Sequence, residues 1–316
     1  MKKQLQQIFI FLLCFPILFF GCTKRSASKN KIEEVKHKHS VSFIVHLFPI
    51  ANLPREISES SGLVLTAPNS LWTHNDSRGK PEIFNLDSLG NLKKTITLSN
   101  EPNVDWEEIT KDQNGNVFVG DFGNNECKRH GLMIYKFTNP DLAHSDSIVA
   151  QDIFFSYPDQ HDFPPNNDEL NFDAEAMVVF NQSLYIFSKN RTSPYSGYTK
   201  LYRVPAVPGA YVAQLVDSFY TGHNSIKECS ITGAALNSSH SILVLTSHER
   251  IWVFTNFVGD KFFEANVKEL SFSGKDLSVE GVCFKSEKEI YLTEERSAPG
   301  SGKLFYLDLS EILELK

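Results

Sequence analysis

A hairpin-like unit recurs five times along this chain of 316 residues at almost constant spacing, and that recurrence limits the possible folds more than any other feature. The clearest copy is Asp105–Asn125, DWEEITKDQNGNVFVGDFGNN. It has an acidic entry (Asp105, Glu107, Glu108), a strand-like run, an Asn-Gly turn at Asn114–Gly115, a second run and an acidic exit at Asp121. Asn-Gly between alternating apolar runs is a strong short-range hairpin signal and suggests a two-residue turn. Antiparallel strands would bring entry and exit to the same end. The other copies are Ser60–Asp76, Asp173–Asn190, Ile231–Glu249 and Ser278–Glu295. Aligned on Gly62, Glu108, Ala176, Gly233 and Gly281, the second run ends 13 residues later at Asn75, Asp121, Lys189 and Glu294, and 14 later at Ser247. The preceding position is Ser61, Glu107, Glu175, Thr232 and Glu280.

Two further strand-like runs follow each hairpin except the last, which is followed by Lys303–Leu307 alone. Val41–Phe48 (VSFIVHLF), near the start of the folded part, is the expected donor of the missing strand. The chain is therefore expected to be all-β: a propeller of four-stranded blades, five by count with six possible, closed by an N-terminal strand. An open sandwich of many short strands is the alternative. Register and complementary ends favour the propeller.

Residues 1–21 have the form of a secretion signal: Lys2 and Lys3, then an apolar run Ile8–Phe20 too short for a typical membrane span. The run ends at Gly21-Cys22, which resembles the lipobox of bacterial lipoproteins. A lipid on Cys22 would anchor the chain without spanning the bilayer. Residues 22–40 are polar and read as a disordered tether. The expected address is extracytoplasmic, on a bacterial membrane, with the outer membrane favoured. Residues 1–40 carry a net charge of +6, which leaves −13 of the total −7 to the domain at 41–316. An acidic domain of this kind argues against nucleic acid as a partner.

If the first strand of each blade lines the channel, Glu107, Glu175, Glu280, Asp121 and Glu294 are expected to meet at one mouth, with Asp76, Lys189, Arg191, His248, Glu249, Glu295 and Arg296 around it. So many carboxylates cannot all ionise together without cations. Either Lys189, Arg191 and Arg296 pair with them, or Ca²⁺ binds at Glu107, Asp121, Glu175 and Glu280. A blade-locking network of ion pairs is an equal alternative. Pro158, Pro164 and Pro165 mark Ser156–Phe172 as a long irregular loop that could overhang the mouth. Cys127, Cys229 and Cys283 show no zinc spacing, and a Cys127–Cys229 disulfide stays open. No G-x-S-x-G, H-E-x-x-H or P-loop pattern occurs.

The segments LWTHNDS, VDWEEI, VGDFGNN, FDAEAM and SVEGV resemble those of SdiA-regulated propeller lipoproteins and of the related esterase-like-phytase and gluconolactonase-like propellers. The resemblance implies a secreted or periplasmic propeller with a polar pocket on its top face, often able to hold Ca²⁺. Many members are described with six blades, against five counted here. Two functions follow as expectations. One is a tethered, non-catalytic protein that binds a small polar ligand, a metal ion or a protein partner at the acidic mouth. The other is a Ca²⁺-dependent phytase-like or lactonase-like hydrolase with Glu107 or Glu175 as general base and His248 or His74 as proton-transfer candidates.

Overall fold

In a computed structural model, which describes residues 33–37, 40–274, 276–297 and 300–315, the strands form five sheets arranged as the blades of one propeller. The signal and lipidation segments, including Cys22, lie outside the described residues. From the channel outward, the first blade runs Ser60–Ala67, Ser70–Asn75, Glu82–Leu86, Leu92–Leu98. The second runs Trp106–Lys111, Val117–Asp121, Leu132–Phe137, Gln151–Ser156. The third runs Asp173–Phe180, Ser183–Lys189, Tyr198–Pro205, Gln214–Tyr220. The fourth runs Gly233–Leu236, Ile242–Thr246, Arg250–Thr255, Asn266–Phe272. The fifth runs Val279–Phe284, Glu289–Glu294, Lys303–Asp308 and is completed by Phe48–Asn52.

The closure is N-terminal, as the sequence suggests, but it uses a later segment. Phe48–Asn52 runs antiparallel to the last strand, with Phe48 opposite Tyr306 and Asn52 opposite Lys303. Pro49 suits this outer-edge position because a ladder there can spare its missing N–H. The apolar stretch just before it, Ser40–Val45, instead adds in parallel to the outside of the fourth blade, pairing Ser42 with Glu269 and Val45 with Phe272. Val41–Phe48 therefore contributes only its last residue to closure. These two strands stitch the N-terminal part onto the last two blades, and Glu33–His37, inside the segment expected to be a disordered tether, pairs antiparallel outside Ser40–Val45.

The core sits between blades. The two strands of each blade nearest the channel are largely covered on both faces by neighbours, so they read as nearly continuous apolar runs. Val117–Asp121 and Ile242–Thr246 are buried at every position. Five apolar clusters fill the five gaps, for example Trp106, Trp72, Ile96 and Tyr135 between the first two blades, and Phe254, Phe187, Trp252 and Phe262 between the third and fourth. The outermost strand of the third blade, Gln214–Tyr220, is by contrast largely exposed.

The hairpin turn at Asn114–Gly115 is longer than a two-residue connection. Asp112 and Asn116 close it through a backbone bond of 2.9 Å, and Gly115 donates to the Asp112 carbonyl at 3.2 Å with φ +83°. The Asp112 carboxylate accepts the N–H groups of Asn114 and Asn116 at 2.9 and 2.8 Å. Asp therefore sets this turn, and Gly115 supplies the left-handed residue that ends it.

Candidate functional site

Four of the five inner strands carry a register shift at their N-terminal ends, at Ser60/Leu63, Trp106/Glu108, Ala174/Ala176 and Val279/Val282. A bulge inserts an extra residue and re-aims a side chain. The residues inside these shifts include Ser61, Glu107, Glu175 and Glu280, with Gly62 and Gly281 beside the first and last. Oxygen atoms of Glu107, Glu175 and Glu280, from three different blades, lie within 4.8 Å of one another. The two equivalent positions with hydroxyls act as clamps instead. Ser61 Oγ donates to the Glu107 carbonyl at 2.8 Å, and Thr232 Oγ1 donates to the Val279 carbonyl at 2.8 Å. The blade-to-blade difference at this position thus divides into three carboxylates and two ties between neighbouring blades.

A second group, Asp76, Asp105 and Glu107, also brings its oxygens within 4.8 Å and shares Glu107 with the first. Gly123 makes room for it, since a Cβ there would collide with Glu107 Oε1 and the Asp105 carboxylate. The acids outnumber the cations facing them. Lys189 pairs with Glu175, and Arg191 bonds Asp173 Oδ2 at 2.7 Å and Glu175 Oε1 at 3.2 Å. Both cations converge on Oε1, and Glu175 Oε2 is buried without a hydrogen-bond partner.

The electrostatics follow. Burial first, then the charge of Glu175, pushes Glu107 and Glu280 well above the usual carboxylate range. Glu175 rises to about 7 through burial, held down by Lys189. Asp76 rises to about 8 through burial and then through Asp105, Glu175 and Glu295. Burial works against the Lys189 ammonium, but Glu175 and Glu280 outweigh it and keep it charged. His248 Nδ1 lies 3.4 Å from Glu280 Oε1 without aligning as a hydrogen bond. Burial, then the positive charges of Lys189, Lys227 and Arg191, lowers His248 to about 3 and leaves it neutral.

Several residues expected at the mouth are placed elsewhere. The Asp121 carboxylate is fully buried and accepts from Arg129 at 2.8 Å, from the Val104 and Asp105 N–H groups at 3.2 Å and from Tyr135 Oη at 3.2 Å. Its place opposite Trp106 on the second strand turns it away from the channel. Glu294 lies by Lys303 and the Gly302 backbone. Arg296 donates to the Leu53 carbonyl at 2.7 Å and so braces the N-terminal entry. Glu249 pairs with Lys227 at 3.4 Å. His74 is buried edge-on to Trp106, its Nδ1 3.0 Å from the Asn75 carbonyl. Burial lowers its pKa to about 4. Cys127, Cys229 and Cys283 are all buried free thiols.

Two residues gain a role that periodicity alone did not assign. Asp173, two residues before Glu175 across the bulge, holds Arg191. Glu108 follows the bulged Glu107 and is fully buried inside the ring. Its carboxylate accepts the N–H groups of Ile109 and Ala234 at 3.0 Å each, and the Met177 and Leu63 backbones also bond to it. Inner strands present unpaired N–H groups to a propeller's axis, and this side chain gathers those of four blades.

No protein-family model matches the chain, and no curated protein matches it. Among solved structures it is similar to a PQQ-bound aldose sugar dehydrogenase from Streptomyces coelicolor, at 10% identity and a TM-score of 0.47, over 89% of this chain and 98% of that one. It is also similar to a gluconolactonase from Xanthomonas campestris, at 12% identity and a TM-score of 0.42, over 79% and 71% of the two chains. A putative gluconolactonase matches at 9% identity and a TM-score of 0.43, over 83% and 91%. At these scores the likenesses say nothing about activity, and the architecture stands on the strand pairing itself.

Proposed function

We propose that this protein is a membrane-tethered binding propeller whose acidic mouth holds a hard divalent cation, and with it a small polar ligand. The observation that carries the reading is the meeting of Glu107, Glu175 and Glu280 from three blades, with a buried Glu175 oxygen left without a partner. Ca²⁺ takes oxygen ligands at about 2.3–2.6 Å, so two ligands of one ion lie no more than about 5 Å apart. Mutual separations within 4.8 Å meet that limit. An all-oxygen donor set favours Ca²⁺ or Mg²⁺ over softer metals. Lys189 and Arg191 fix Glu175 through Oε1, while Asp76 and Asp105 extend the negative field toward solvent. The extracytoplasmic address rests on the signal-like start and on Cys22.

The test is a Ca²⁺ titration of the purified protein followed by thermal melts. A ligand at 100 times its Kd stabilises by about 2.7 kcal/mol. The expected result is a rise in Tm with Ca²⁺ that disappears when Glu107→Gln and Glu175→Gln are combined. Wild-type melts that ignore Ca²⁺ and Mg²⁺ would remove the cation from the account.

One observation favours the hydrolytic reading as a second possibility. Glu175, at about 7, is poised to exchange a proton near neutrality, the range in which a general base works best. A bound cation would supply polarisation of the scissile oxygen. Turnover of lactones or phosphoesters by wild type with Ca²⁺, lost in Glu175→Gln even at saturating Ca²⁺, would establish it.

A further inference from the structure

The channel has a second mouth, with a different chemistry. Where the inner strands end, a cavity of about 490 Å³ opens on the face opposite the acidic one. This is the size of a small-molecule site. All five blades contribute apolar side chains to its inner wall, Leu65, Ile109, Val179, Ala235 and Val282, while polar residues such as Thr66, Thr110 and Asn139 line the rest. Leu63, Ile109 and Ala234, whose backbones bond the buried Glu108 carboxylate, line its inner end. Glu108 therefore stands between this cavity and the acidic mouth.

The polar groups around the opening are mostly committed. Asp112 is engaged by its own turn, and Asn237 Oδ1 accepts the Ser241 and Ile242 N–H groups at 2.8 and 2.9 Å. Lys285 pairs with Glu289 at 3.0 Å. His240 is held below its ordinary pKa by burial, so it is neutral near pH 7. Lys111 differs. Its Nζ donates to the Leu65 carbonyl at 2.5 Å, and no ion pair forms with it among the described residues. An ammonium has three donors, so Lys111 keeps capacity for an anion at the edge of an apolar chamber.

We propose that this second mouth binds a small monoanionic amphiphile, a carboxylate whose apolar body enters the chamber while its head group meets Lys111. The apolar inner wall would reject a charged body, and Lys111, without an ion-pair partner among the described residues, suits a single carboxylate head group. The acidic mouth plays no part in this, so the two sites can be tested separately.

The experiment is calorimetric titration of the full chain with octanoate, and with octylamine as the charge-reversed probe. Wild type is expected to bind octanoate saturably and octylamine at least tenfold more weakly. Lys111→Met keeps most of the stem and removes the charge, and is expected to weaken octanoate at least tenfold with the Tm unchanged. Ala235→Phe, which fills the chamber, is expected to abolish binding, and Glu107→Gln is expected to leave it intact. Equal binding of octanoate and octylamine, or octanoate affinity unchanged in Lys111→Met, would overturn the proposal. So would a wild type that binds neither probe. If Ala235→Phe fails to fold, the Lys111→Met comparison decides alone.

Discussion

Asp76→Asn is expected to stabilise the protein, and only at high pH. Asp76 is half-buried, its Oδ1 has no hydrogen-bond partner, and its pKa rises from 3.8 to about 8 through burial and the carboxylates of Asp105, Glu175 and Glu295. A carboxyl whose folded pKa lies above its unfolded value keeps its proton longer in the folded state. Stability is then greatest below the unfolded pKa and falls as pH rises toward the folded one, here from about 4 to about 8. Each unit corresponds to about 1.4 kcal/mol, which gives an upper limit of about 5–6 kcal/mol. Partial exposure and solvent screening reduce this to about 2–3 kcal/mol. Asparagine carries no charge at any pH, and the Asp76 backbone keeps its bonds to Glu59 and Asn103. Urea denaturation with a chelator present is the assay. The variant should exceed wild type by about 2–3 kcal/mol at pH 9 and by under about 1 kcal/mol at pH 4.5. A destabilised variant at pH 9, or the same difference at both pH values, would refute the reasoning.

Four further outcomes follow from the same geometry. Glu108→Gln should cost about 1–3 kcal/mol by denaturant midpoint, because Ile109 and Ala234 donate to different carboxylate oxygens and an amide NH₂ would face one of those N–H groups. Lys189→Met should lower stability by roughly 3–5 kcal/mol in chelator, since it strips Glu175 of a buried partner, yet tighten Ca²⁺ binding by calorimetry because its ammonium no longer competes. Gly123→Ala should weaken Ca²⁺ at least tenfold with a modest change in Tm, because the new Cβ displaces both Asp105 and Glu107. Wild-type stability in chelator should decline from pH 5 to pH 8, as Glu175 and Asp76 keep protons in the fold that the unfolded chain has already released, and Ca²⁺ should flatten that decline.

Much of the architecture was legible because a repeated unit leaves a spacing that survives drift in the residues. The interval of 13 residues located the bulged positions, and three of the five acids expected at the mouth, Glu107, Glu175 and Glu280, do converge. Asp121 and Glu294 sit at the right height but on second strands, and spacing does not report which way those side chains turn. Asp121 goes to Arg129 and the loop N–H groups, a choice made by tertiary packing. Glu108 enters the sequence reading as part of the acidic entry and as the alignment point, although a second acid beside a bulged one is the available signal for a carboxylate aimed down the axis. At the N-terminus, Val41–Phe48 and Phe48–Asn52 are both strand-like, and periodicity does not choose between two free edges. Pro49 was the residue that marked the outer strand.

The most direct measurement is the position of the cation itself. Crystals soaked with Tb³⁺, a hard cation of Ca²⁺-like size with strong anomalous scattering, would show it. The account predicts one dominant peak within about 2.3–2.6 Å of oxygens from Glu107, Glu175 and Glu280, lost in Glu107→Gln crystals. A dominant peak elsewhere, or a mouth in which Lys189 and Arg191 satisfy the acids and no ion enters, would contradict it.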